Sequence, residues 1–70
     1  MKVVFRDSKN DYVATTYVDD ASDYIKTLKE VKAVTFMDEY NVDYEYVDST
    51  VAVDVGAEYS YVVVWVKKYE

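Results

Sequence analysis

Only one stretch of this chain is written with the period of a helix. From Asp20 to about Lys32, apolar residues fall at Ala21, Tyr24, Ile25, Leu28 and Val31, the three-and-four spacing that gathers them into a single stripe. Asp19, Asp20 and Asp23 crowd the first turn, while Lys29 and Lys32 lie at the other end. Carboxylates can therefore cap the exposed amides, and each sign of charge meets the favourable pole of the helix dipole.

The rest of the chain reads as strands and turns. Lys2 to Arg6 and Tyr12 to Val18 are strand-like runs separated by Asp7-Ser8-Lys9-Asn10-Asp11, a length typical of a hairpin loop. Ala33 to Met37 reads as a further strand leading towards the cluster Asp38 to Asn41. In Val42 to Val47, Val42, Tyr44 and Tyr46 alternate with Asp43 and Glu45; in Val51 to Val55 the valines alternate with Ala52 and Asp54. Period two is the mark of a half-buried strand. Between these two runs, Asp48-Ser49-Thr50 reads as a turn, because proline is absent, Gly56 is the one glycine, and short polar residues must make the reversals.

Tyr59 to Lys67 differs, since both Tyr59, Tyr61, Val63, Trp65 and the interleaved Ser60, Val62, Val64, Val66 are largely apolar. That pattern belongs to a central strand, or to one whose second face another molecule covers. The expected fold is α+β, in the order β-β-α-β-β-β, with a mainly antiparallel sheet of about five strands and the helix packed on one face. Size limits that packing. A helix of about 13 residues is roughly 20 Å long and 10–12 Å wide, whereas five strands about 4.8 Å apart span roughly 24 Å. The second face must then be polar, curve strongly upon itself, or be paired with something.

Seventy residues make one domain, 1–70, and a chain that short buries only about 60% of its unfolded surface. Disulfides and thiolate metal sites are excluded by the lack of cysteine, and the commonest zinc ligand by the lack of histidine. Dense packing or oligomerisation must supplement the core. Absence of cysteine fits a reducing compartment. Val3, Val4 and Phe5 precede Arg6, too few apolar residues for a signal peptide. The longest apolar run, Tyr61 to Val66, is far short of the roughly 20 residues of a membrane helix. A cytoplasmic protein without a membrane partner is expected.

Chemistry is narrowed by elimination. Ser8, Ser22, Ser49 and Ser60 have no histidine or cysteine to activate them. Lys26, Lys29 and Lys32 read as the solvated side of the helix, and paired carboxylates on a strand offer no cleft to raise one pKa. The 7–11 loop has a superficially calcium-like look, but lysine occupies a ligand position and the required glycine and terminal glutamate are missing. No catalytic, metal or cofactor-binding residue is expected, and the chain is read as not an enzyme.

What remains is a binding surface. The net charge is −6, and no basic residue falls between Ala33 and Val66, a stretch holding seven Asp and Glu residues. Nine tyrosines add large contact area with polar tips. Acidic neighbours of the tyrosines oppose direct nucleic-acid binding. The candidate partner-binding residues are Asp43, Tyr44, Glu45, Tyr46, Asp48, Asp54, Glu58, Tyr59 and Tyr61, with Asp43 and Glu45 about 6.6–6.8 Å apart and Asp54 on a neighbouring strand, forming a row or small grid. Such a grid imitates a nucleic-acid backbone to a basic protein surface. In size, charge and lack of catalytic residues, the chain resembles the small acidic inhibitors of phages and mobile elements, among them anti-CRISPR and anti-restriction proteins; no motif assigns roles to its residues. The alternative is a self-associating structural protein or engineered scaffold, a homodimer formed through the C-terminal strand, with Lys67 and Lys68 as gatekeepers.

Overall fold

A computed structural model describes residues 1–37, 40–56 and 59–69. Its elements are β1 (Lys2–Arg6), β2 (Tyr12–Tyr17), α1 (Ala21–Val31), β3 (Ala33–Phe36), β4 (Val42–Asp54) and β5 (Tyr59–Lys68). The five strands form one sheet in the order β2-β1-β5-β4-β3. All neighbours are antiparallel except β1 and β5, which run parallel. The mainly antiparallel α+β reading therefore holds.

Local chemistry explains the elements. The Asp7 carboxylate accepts the N–H groups of Lys9 and Asp11 at 2.9 and 3.0 Å, and Asn10 takes a left-handed φ of 66°. These bonds turn β1 back into β2 with the side chain acting as its own template. Asp20 caps α1 by accepting the Asp23 N–H at 3.1 Å. Lys32 ends the helix in a left-handed conformation, its N–H donating to the Leu28 carbonyl at 2.8 Å, as helix termini commonly do. The Lys32 carbonyl then accepts the Tyr46 N–H at 2.9 Å, tying the end of α1 to β4.

Two expectations give way to a different geometry. First, Asp48-Ser49-Thr50 does not reverse the chain: Val42 to Val47 and Val51 to Asp54 belong to one long strand, the thirteen-residue β4, and Val55 falls in the turn that follows it. Its register against β5 slips where Tyr46 faces Val66 and Asp48 faces Trp65, which leaves Val47 as an extra residue, a β-bulge. Asp48 accepts the Ser49 N–H at 2.8 Å, and the Tyr46 and Ser49 hydroxyls bond at 2.9 Å. The turn-forming side chains are thus used to stabilise the bulge.

Second, the sheet is not a flat layer with a helix on one face. Phe5 on β1 and Phe36 on β3 lie three strand spacings apart, about 14 Å on a flat sheet, yet their rings meet edge to face at 5.0 Å. Phe36 also meets Tyr44 at 5.3 Å. The sheet must roll towards its inner side, nearly into a barrel. Bulges in β1–β2 and in β4 supply the extra twist and bend. The edge strands β2 and β3 consequently face one another across a cleft lined by Ala14, Thr15, Val34 and Phe36, with Tyr24 of α1 between them.

The core lies inside this roll. Val3, Phe5, Leu28, Val34, Val62, Val64 and Val66 are buried, with Tyr24, Ile25, Phe36, Tyr44 and Tyr46 packed against them. As its apolar faces required, β5 is central. Val63 and its neighbour Val4 are buried on the outer side as well. Over Val62 to Trp65 β5 is paired on both sides, so that stretch offers no strand edge for the alternative C-terminal strand dimer. Of the helical stripe, Val31 alone is left 61% exposed.

Truncating the ring that bridges the roll, Phe36→Ala, should lower stability by about 2–3 kcal/mol, somewhat below the ~3–5 of a fully buried phenylalanine; urea unfolding measures this, and a loss near zero would contradict a closed roll. Burial raises the Tyr24 phenol above its ordinary pKa. The folded state then holds that proton more tightly, so its contribution is complete below the ordinary value and is lost as pH rises through the raised one. Relative to Tyr24→Phe, the parent chain should lose stability as pH rises above about 10, and parallel pH profiles would refute this.

Candidate functional site

Alternation along β4 separates the candidate residues by face. Tyr44 and Tyr46 are half-buried against the core, on the inner side. Asp43 and Glu45 are exposed on the outer side. The bulge then shifts the alternation by one, so Asp48, opposite Trp65, and Asp54, opposite Tyr59, continue on that same outer side. The carboxylates form a row along one strand, where the expected grid had Asp54 on a neighbouring strand. Glu58 lies outside the described residues.

Several of these carboxylates have defined surroundings. The Thr35 hydroxyl donates to Asp43 at 2.8 Å across the β3–β4 pair. Glu45 stands between Ala33 on β3 and Lys67 on β5 in register. Asp48 is fixed by the Ser49 amide at 2.8 Å. Tyr59 and Tyr61 bring their rings within 6.2 Å of one another on β5.

Cross-strand neighbours reveal residues that the linear sequence does not associate. On the outer face, Lys2 of β1 places its ammonium 5.4 Å from the centre of the Tyr61 ring, a cation–π contact. Arg6 is in register with Trp65 on one side and Tyr12 on the other. Tyr12, Tyr17 and Tyr61 thus have basic neighbours across the sheet. The face is divided: Lys2, Arg6, Tyr12, Tyr17, Tyr61 and Trp65 on β2, β1 and β5, then the acidic row on β4. A signal was present in the sequence, since Lys2, Val4 and Arg6 alternate with the core residues Val3 and Phe5, but pairing β1 with β5 was needed to use it.

A second feature lies on the inner side. Between α1 and the distal half of β4 runs a groove of about 630 Å³ lined by Met1, Ala21, Ile25, Val51 and Val62, with Lys26 and Lys29 among its other residues. Val51 and Val53 above it are 62% and 67% exposed.

No group of three or more metal-ligating side chains occurs among the described residues, and no described helix is long and apolar enough to cross a membrane. Comparisons with protein families, curated proteins and solved structures found no match.

Trp65 is half-buried between Arg6 and Asp48 on the outer face. Trp65→Ala should therefore cost about 1.5–2.5 kcal/mol, roughly half of what a core tryptophan loses. Denaturant titration checks this, and a loss of core magnitude would place the indole in a sealed interior.

Proposed function

We propose that this chain is a non-enzymatic, acidic protein-binding module, acting in the cytoplasm, that offers the carboxylate row of β4 and the aromatic side chains beside it to a basic surface of a nucleic-acid-binding protein. The observation that supports this reading is the arrangement of Asp43, Glu45, Asp48 and Asp54 on one face of one strand. At roughly 3.3 Å per residue β4 spans about 40 Å, comparable with the molecule's longest dimension of 38 Å. A line of charge of that length presents a field to an extended basic groove, as a nucleic-acid strand does.

Protein rather than nucleic acid is the better partner for the divided face. A polyanion lying on Lys2, Arg6 and Trp65 would meet Asp48 one strand away, and the chain's net charge of −6 opposes its approach. A protein surface can match both signs at once. Tyr59, exposed at the margin of the row, and Tyr61 supply contact area of the kind interfaces favour.

The test is competition with duplex DNA for basic DNA-binding proteins, measured by surface binding at two salt concentrations. Association should slow by about tenfold between about 50 and 500 mM salt, and an Asp43→Lys, Glu45→Lys variant should bind at least about tenfold more weakly. Binding indifferent to both salt and charge reversal would overturn the reading.

A further inference from the structure

Among the described residues, the distal half of β4 has one strand neighbour. β3 pairs with Val42 to Glu45 alone, Tyr46 is engaged by Lys32, and from Val47 to Asp54 the strand is paired among the described residues only to β5. In an antiparallel ladder every second residue turns its N–H and C=O away from the paired neighbour. From Val47 to Val53 the second edge is therefore a row of main-chain donors and acceptors without a strand partner among the described residues, with the Ser49 N–H held by the Asp48 carboxylate. Its sequence, Val47-Asp48-Ser49-Thr50-Val51-Ala52-Val53-Asp54, is rich in β-branched residues, contains no proline and has no lysine, the usual means of blunting an edge.

We infer that this edge is a docking site for an extended peptide of the partner, which adds to the sheet as a sixth strand. The inference rests on the protein-binding reading above and names the segment that would be recognised. The two sides of the edge specify the peptide. On the outer side lies Asp48, which calls for lysine or arginine. On the inner side lie Val51 and Val53, both mostly exposed, and the groove against α1. Lys26 and Lys29 on that groove repel basic side chains, so the peptide's inward residues must be apolar. A strand alternating apolar and basic residues satisfies both sides, with main-chain bonds giving affinity and the alternation giving specificity.

A second copy of this chain fits less well. Two β4 edges meeting about a two-fold axis centred on Val51 would set Asp48 directly opposite the partner copy's Asp54, and like charges so placed are destabilising. Each copy also carries a net charge of −6.

The probe is a capped peptide of about eight residues alternating valine and lysine, the length of the open edge, compared with the same peptide N-methylated at the alternate residues whose N–H groups would face β4, so that it keeps its charge and loses those donors. Binding is read by amide hydrogen exchange and chemical shifts across residues 47–54. The expected result is slowed exchange in that stretch with the parent peptide and at least about tenfold weaker binding of the methylated one. Asp48→Lys should weaken the parent peptide's binding, whereas Asp11→Lys, in the β1–β2 loop and outside the carboxylate row, should change it little. Equal binding of both peptides would overturn strand addition while leaving charge-driven protein binding standing. Absence of binding by either, or protection of residues 47–54 by self-association without peptide, would overturn the inference as well.

Discussion

Phe5, Phe36 and Tyr44 come from three strands, and the edge-to-face contacts among their rings fix how far the sheet rolls. The need for the roll is a matter of area. An eleven-residue helix is about 16 Å long, too short to shelter a five-stranded layer. In this chain the sheet shelters itself: its ends β2 and β3 approach each other, α1 fills the space between them, and the inner side becomes a core without any partner. Aromatic pairs of this geometry add about 0.5–1.5 kcal/mol beyond the area they bury. The Phe5–Phe36 contact, across strands far apart in the sheet, gives that energy its leverage on shape.

Closure also changes what has to be explained about the surface. A whole uncovered sheet face would have demanded a partner over all of it. The outer face instead has its centre filled by Val4 and Val63, flanked by long side chains such as Lys2 over Tyr61. What is left open is narrower: the part of β4 that outruns both β3 and α1. The unpartnered apolar surface and the acidic row therefore coincide on one strand, which is why both functional readings converge there.

Much of this was legible from residues alone, because local signals act over a few positions. Asp20 and Lys32 bracket the helix at both levels of description, and Asp7 to Asp11 marks the first hairpin. The doubly apolar run Tyr61 to Val66 marks the central strand. Where the reading failed, the cause was non-local. Asp48-Ser49-Thr50 carries the same side-chain chemistry whether it makes a turn or a bulge, and only the pairing with Val64 to Val66 decides between them. The parallel pairing of β1 with β5 joins residues about sixty positions apart, so nothing near Lys2 announces Tyr61, and nothing near Arg6 announces Trp65. The carboxylates were placed on two strands where they lie on one; the tyrosines among them were assigned to one surface, although Tyr44 and Tyr46 turn inwards.

Val47 carries a further implication. Asp43 and Glu45 occupy odd positions, Asp48 and Asp54 even ones, and an unbroken strand would send the two pairs to opposite sides of the sheet. The single surplus residue acts as a phase shifter, bringing both halves of the charged row onto one surface while keeping Ser49, Val51 and Val53 on the other. Chain length at this point thereby sets the faces: a gain or loss of one amino acid would invert the distal half of β4 as a block, presenting valines to the outside and carboxylates to the groove, with no change in any side chain's chemistry.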